Sequence, residues 1–448
     1  MATTDTRVER GAAVTPRHDR GIVLALVGVV LLVLVVNRWG QALLDDGVRH
    51  RILAPPLIGR FRLGPPGLVA VLVPLGVGAA LVTRLPTWSS SLRWGRLLLV
   101  GAVTAAVWAV ALALLDGGSG LTRPMELRGH YLLDVPQVGA PLDFLRGFTD
   151  RIDAYGTHVR SHPPGLVLAL RGLDAVGLGG SGAAAALVIA GGVAAVPALL
   201  LIVRDVAGEA VARRSLPFLV VAPTAVYVAS TGDALFAGVA IWGATCIILA
   251  TGRPRGDRLA LAGGALFGVA FLLSYGTTLL VLLPVAVAVH RRRARPILLA
   301  AVAGSGVLAA AALTGFWWLD GLLTTRREYA ESVASIRPYG YFLLANLAGL
   351  ALVVGPATVA GVVRVVRREA ATRGLALLIV PVLGIVALAN LSGMSKGEVE
   401  RIWLPFALCL LPAGALAAAD GSGRGSRSWL WAQMAVAIAI PFFVRTHW

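Results

Sequence analysis

Residues 181–203 read SGAAAALVIAGGVAAVPALLLIV, a run with no charged side chain, and Arg204 follows at once. A run of this length matches the ~20 apolar residues that carry a helix across a hydrocarbon core about 30 Å thick. Lipid offers no hydrogen bonds, so backbone groups there must be satisfied within a helix or by closing a barrel. Alternating strands of about ten residues, which a barrel would need, are absent from the sequence. The run is therefore a helix in a membrane.

Working outward, fourteen apolar candidates recur: 21–37, 67–83, 96–115, 164–178, 181–203, 216–230, 234–252, 259–273, 276–290, 296–319, 341–363, 374–391, 402–419 and 429–444. The whole chain of 448 residues is 57% hydrophobic and 14% charged, with a mean hydropathy of +0.80. A soluble domain carries roughly 25% charged residues, so lipid must be the solvent for most of this surface. The fold class expected is an all-α polytopic membrane protein, in one transmembrane domain over 1–448.

The net charge of +17 comes from 40 Lys and Arg against 23 Asp and Glu. Nucleic acid is not the partner this implies, because the arginines sit in short clusters between apolar runs. That is the positive-inside pattern, which holds such loops in the cytoplasm beside anionic headgroups. Nearly all of these cations are arginine, which points to a GC-rich bacterial genome and so to a bacterial cell membrane. Cys246 and Cys409 both fall inside apolar runs, which leaves no disulfide framework. Arg7, Arg10, Arg17 and Arg20 precede the run at 21–36, and no small-residue cleavage site follows it. It reads as an uncleaved first span behind a cytoplasmic tail, 1–20.

The clusters also set orientation. Arg84, Arg93 and Arg96 place the second connection inside, and so the stretch 116–163 outside. Arg253, Arg255 and Arg258, then Arg291–Arg293 with Arg295, then Arg364, Arg367, Arg368 and Arg373 mark three further inside loops. Fourteen crossings would put the Arg253 loop outside, so one candidate must fail to cross. The preferred one is 164–178, which is short and carries Arg171 and Asp174; the other is 216–230, interrupted by Pro217 and Pro223. About thirteen transmembrane helices remain, with the N-terminus inside and the C-terminus outside.

The 116–163 loop is the longest polar stretch, and a loop of that length in a compact protein is functional or disordered. Leu142, Leu145, Phe148, Ile152 and Tyr155 recur at helical spacing, which predicts an amphipathic segment at the membrane surface. Candidates among its ionisable and charged residues are Glu126, His130, Asp134, Asp143, Asp150, Asp153, His158, Arg160 and His162. In His162-Pro163-Pro164-Gly165 two prolines fix an extended backbone where the chain returns to the membrane, although proline also simply starts helices. Other outer features are Thr231-Gly232-Asp233, where Asp233 either caps a helix or faces a site, and Ser274-Tyr275. The 320–340 loop adds Arg326, Arg327, Arg337 and Tyr339. The last is Ser395-Lys396-Gly397-Glu398-Val399-Glu400-Arg401-Ile402-Trp403. Glu400 and Arg401 at a membrane boundary are costly unless paired or used.

Taken together, HPPG after an acidic outer loop, TGDALFAGVAIW, GEVERIWLPF and thirteen N-in, C-out spans resemble the GT-C superfamily of integral membrane glycosyltransferases. Protein O-mannosyltransferases and the lipid A aminoarabinose transferase belong to it. The resemblance implies a hexosyl-type transfer, with mannosyltransferases among its members. A polyprenyl-phosphate sugar is the donor, and the acceptor stays unknown. The family's base is an acid in the first large outer loop, a role that falls to Glu126 or Asp134 by order of motif. Two extra spans, 21–37 and 67–83, precede this loop where the family usually has one, so Asp45 and Asp46 in 38–66 are second-choice bases. His158, Arg160, His162, Asp233, Arg337, Tyr339, Lys396, Glu400 and Arg401 are the candidate substrate-binding residues.

The chemistry is coherent on its own terms. A carboxylate takes the proton of an attacking hydroxyl, while Arg160, Arg337, Lys396 and Arg401 stabilise a departing phosphate. No Asp-x-Asp spacing occurs in the outer loops, so no cofactor is expected, with a divalent metal left open. Two other readings stand beside this one. A transporter or flippase would need charges deep within spans, for which Arg171 and Asp174 are the main candidates. A structural subunit would use the ordered loop for docking.

Overall fold

The computed structural model describes residues 17–48, 50–369, 372–418 and 423–446. Most of the expected 1–20 tail lies outside these residues. Among them, eight helices are long and apolar enough to cross a membrane: Arg20–Asp45, Leu68–Ser91, Trp94–Asp116, Ser181–Ala207, Gly232–Thr251, Arg295–Leu313, Tyr339–Val366 and Arg373–Leu391. Tyr275–His290 and Leu404–Leu416 are shorter apolar helices. Glu209–Val220, Asp257–Leu273 and Gly423–Phe443 fill the other expected positions. The chain is thus all-α and polytopic. A count of thirteen draws on the short and broken segments as well as on the eight long ones.

Arginines bind the ends of several helices into one face. Arg213 donates to the carbonyls of Ser89 and Leu92 at 2.8 and 2.9 Å. The Arg204 guanidinium lies 4.4 Å over the Trp94 ring. Arg291 pairs with Asp205 at 2.7 Å and Arg295 with Asp257 at 2.5 Å. The arginine loops near 93, 204–214, 253–258 and 291–295 therefore share one end of the bundle. Between the outer loop and 204 only one crossing fits, and Ser181–Ala207 makes it. Helix Gly165–Ala175 rises only about 16 Å and packs against 131–137 of the outer loop. Segment 164–178 is thus too short, as the helix it forms, to span a hydrocarbon core.

Small residues let the helices approach closely, as is common where lipid supplies no hydrophobic force between them. A Cβ at Gly238 would sit 1.9 Å from the carbonyl oxygen of Gly191, so Gly232–Thr251 and Ser181–Ala207 touch backbone to backbone. Helix Tyr339–Val366 breaks at Gly355 (φ 77°), just before Pro356. The break frees backbone groups, and buried Gln433 from the last helix takes them up. Its Nε2 donates to Val354 O at 3.0 Å, and its Oε1 accepts from Ala357 N at 3.2 Å.

At the other face lie the polar segments. The 116–163 loop folds into short helices and turns, Arg123–Glu126, Tyr131–Gln137, Pro141–Arg146, Ile152–Ala154 and Thr157–Arg160. The apolar spacing at 142–155 does not produce one continuous helix, because the turn at Gly147 ends Pro141–Arg146. Its aromatics instead fold inward: Phe144, Phe148 and Tyr155 stack together, and Phe148 meets Phe316. A mostly buried strap, 50–62, crosses the same face. Its Arg60–Phe61 pairs antiparallel with Val444–Arg445, and Arg62 forms an ion pair with Asp116.

Candidate functional site

Three distant segments meet at Arg401. The side chain is 8% exposed; its Nη1 donates to Asp233 at 2.9 Å and its Nη2 to Glu398 at 2.6 Å. Asp233 stands in the first turn of Gly232–Thr251, held at the face by Thr231, whose hydroxyl donates to Tyr227 O. Glu398 comes from the tight 393–398 loop, with Gly393, Gly397 and Glu398 all at positive φ. Asn346 fixes that loop from a helix: Nδ2 donates to Ser395 O at 2.7 Å, and Oδ1 accepts from Gly397 N at 3.1 Å. Arg337 closes the far side, with Nε to His50 O at 3.0 Å, Nη1 to Lys396 O at 2.6 Å and Nη2 to Glu398 at 3.4 Å. Two guanidiniums and two carboxylates thus form one buried charge chain.

The outer loop covers this chain with imidazoles. The rings of His130 and His158 lie 4.2 Å apart, and Tyr131 is 5.7 Å from His158 and 5.8 Å from His162. His162 Nδ1 lies 2.9 Å from the carbonyl of His158, so the two histidines before the prolines are braced as a unit. Gly165 completes that turn for a steric reason: a Cβ there would stand 2.3 Å from Leu272 O. Burial first, and Arg401 second, push His130 down to about 4. The same causes hold His158 well below the usual imidazole value. Burial also lowers His162, although Asp233 opposes it. The imidazoles are neutral at pH 7 and face the Arg401 chain as neutral donors and acceptors. The Tyr131 hydroxyl is buried and has no hydrogen-bond partner among the described residues. Beside it a cavity of about 10 Å³, lined by Met125, His130, Leu166 and Gly232, has room for roughly one water.

Glu400, next to Arg401 in sequence, is fully buried. Its Oε1 accepts from Ile58 N of the strap at 2.7 Å, while Oε2 is buried with no partner among the described residues. Burial raises Glu400 to about 7. Glu398 behaves oppositely: burial opposes its charge, but Arg401 and Arg337 together keep it below the usual carboxylate value.

Among solved structures the chain is similar to an oligosaccharyltransferase of Archaeoglobus fulgidus in the apo form, at 12% identity and a TM-score of 0.47. It is also similar to ArnT of Cupriavidus metallidurans in the apo state, at 18% identity and a TM-score of 0.45. The likeness takes in 78% and 75% of this chain, which spans 56% and 62% of those chains. Likenesses this partial assign no activity. No protein-family model matches the sequence, and no curated protein does.

The residues singled out from the sequence divide by place. His158, His162, Asp233, Arg337, Glu400 and Arg401 gather at the charge chain, with Lys396 contributing its carbonyl there while its amine donates to Ala334 O. Arg160 stands at the rim, paired with Glu328 at 3.2 Å. Asp134 is buried and spends both oxygens on the loop, accepting from Gln137 Nε2 and Gly156 N at 2.9 Å each. Burial raises it above the usual carboxylate value. Glu126 is exposed, next to Met125 of the small cavity. Tyr339 is 43% exposed and donates to Leu391 O. Asp45 and Asp46 are exposed at the end of the first helix. Among the described residues no three His, Cys, Asp or Glu side chains converge as a metal set. Tyr131, His50 and Asn346 were not singled out from the sequence. Asn346 did carry a signal, as a polar side chain inside an apolar run.

Proposed function

We propose that this chain is a membrane glycosyltransferase of the GT-C type, moving a sugar from a polyprenyl-phosphate donor to an acceptor on the extracytoplasmic face. One observation carries the reading: HPPG, TGD and GEVER, the three segments behind the sequence resemblance, converge on Arg401. The four-membered charge chain sits at the outer ends of helices, the level at which a lipid phosphate lies. Arg401 and Arg337 would hold the departing phosphate, and the neutral histidines would donate to the sugar or phosphate oxygens. Glu126 is the better placed base, since Asp134 already accepts two hydrogen bonds within the loop. The protein acts as one transmembrane unit with thirteen crossings in a bacterial cell membrane. The main support for a transporter is weaker in the fold, because Arg171 and Asp174 pair with each other at 3.2 Å on the helix that does not cross.

The test is transfer from a radiolabelled polyprenyl-phosphate mannose by purified protein in proteoliposomes, with membrane extract as acceptor. Arg401→Gln should cut transfer by roughly a hundredfold or more. Full transfer by both Glu126→Ala and Asp134→Ala would remove these two acids as bases. No transfer or donor cleavage with any polyprenyl-phosphate sugar would remove the glycosyltransferase reading itself.

A further inference from the structure

The strongest unexplained feature is Glu398. It is not a glycine, yet its backbone lies at φ 62° and ψ 16°, a left-handed conformation that side chains other than glycine adopt at a cost and that clusters at functional sites. Its neighbour Gly397 lies at φ 89°, a left-handed conformation that favours glycine, so two consecutive residues hold the turn there. The loop thus drives one carboxylate between two guanidiniums. Its Oε2 takes Arg401 Nη2 at 2.6 Å, and its Oε1 takes Arg337 at the longer distances of 3.4 and 3.5 Å.

Burial separates Glu398 from its partners. Arg337, Arg401 and Asp233 are each 8% exposed, whereas Glu398 is 19% exposed. It is the most exposed of the four. Charge makes the same point: Arg337 and Arg401 balance Asp233 and Glu398, so the set is neutral while Glu398 is in place. An anion entering between the guanidiniums must compete with that carboxylate. A carboxylate's two oxygens are spaced much like two oxygens of a phosphate, and arginine forks take either.

We propose that Glu398 is a displaceable latch, occupying in the resting protein the place that a lipid phosphate, the diester of the donor or the monoester left after transfer, takes between Arg337 and Arg401. Entry of the phosphate releases the side chain, and the cost of breaking its ion pairs with Arg337 and Arg401 is partly offset as the left-handed backbone relaxes. The inference rests on the phosphate-donor reading above and adds a resident competitor to it.

The experiment measures binding of farnesyl phosphate, with farnesol and inorganic phosphate as comparisons, to the full chain in lipid nanodiscs by tryptophan fluorescence. Glu398→Gln keeps the side chain's shape and removes its charge, and it should tighten farnesyl phosphate by roughly tenfold. Glu398→Asp, with its carboxylate drawn back one methylene, should tighten it less. This second variant decides the matter if the first melts far below the wild type. Arg337→Gln should weaken binding. Equal tightening for inorganic phosphate keeps the latch and assigns the site to free phosphate instead of lipid. If the wild type prefers farnesyl phosphate to farnesol but both Glu398 variants bind it equally or more weakly, the latch is wrong and the donor reading stands. If no protein separates farnesyl phosphate from farnesol or takes inorganic phosphate, both fall.

Discussion

Arg401 is the residue on which the outer site turns, and its loss should be felt in stability as well as in chemistry. Removing one partner of a buried ion pair leaves the other charge uncompensated, at a cost of roughly 3–5 kcal/mol. Arg401→Gln strands both Asp233 and Glu398, so its unfolding temperature in detergent should drop clearly. Arg401→Lys, which cannot bridge two carboxylates with one fork, should fall between. Titration offers a second check. His130 is held at about 4 against an ordinary 6.5, so below pH 6.5 the unfolded chain gains a proton that the folded chain refuses. Stability should fall as pH drops from 6.5 toward 4, by up to about 3 kcal/mol for this group. Glu400 works in the other direction, since its folded value of about 7 stands above 4.5. Its contribution is full below pH 4.5 and is lost as pH rises through 7. Thermal unfolding against pH should therefore show two opposing limbs, the acid one flattened in His130→Asn and the neutral one in Glu400→Gln. The sequence made Asp233 and Arg401 legible because charges at membrane boundaries stand out. The role of Glu398 was not legible, since it depends on Arg337, which is far away in the chain.

At the scale of the element, the kink at Gly355-Pro356 illustrates how a membrane helix tolerates a break. Proline removes a donor and displaces the preceding turn, and lipid would leave the freed groups unsatisfied. Gln433 takes both, reaching Val354 O and Ala357 N from a neighbouring helix. Gln433→Leu keeps a similar volume and strands two buried backbone groups, each worth about 1–3 kcal/mol. The unfolding temperature should fall, while Gln433→Glu should recover part of the loss at low pH, where the acid can donate. An unchanged melt in Gln433→Leu would mean that water replaces the amide. The apolar run 341–363 announced a helix, while its break before Pro356 was not read from the sequence. Nothing local to either run tied Gln433 to that kink, because the pairing exists only once the two helices pack.

For the whole molecule, what decides the topology is whether both ends of Gly165–Ala175 lie on one side. The arginine clusters required an odd number of crossings, and the sequence ranked 164–178 first among segments that could fail. The structure adds independent reasons: the helix is too short to cross, and Arg213 and Asp205 are bonded to residues of the other inside loops. Direction in a real membrane can be read with single cysteines. In a background lacking Cys246 and Cys409, Ser119→Cys and Leu178→Cys, both exposed, should react with a membrane-impermeant maleimide on intact cells. Ala210→Cys, exposed at the opposite end, should react only after the cells are permeabilised. Labelling of Ala210→Cys from outside would mean that 164–178 crosses after all and would carry Arg204, Arg213 and Arg214 to the outer face against the positive-inside rule. Labelling of Leu178→Cys only from inside would do the same from the other end of the short helix. Either result would also separate HPPG from Asp233 across the membrane, and the charge chain at Arg401 would then need a different fold.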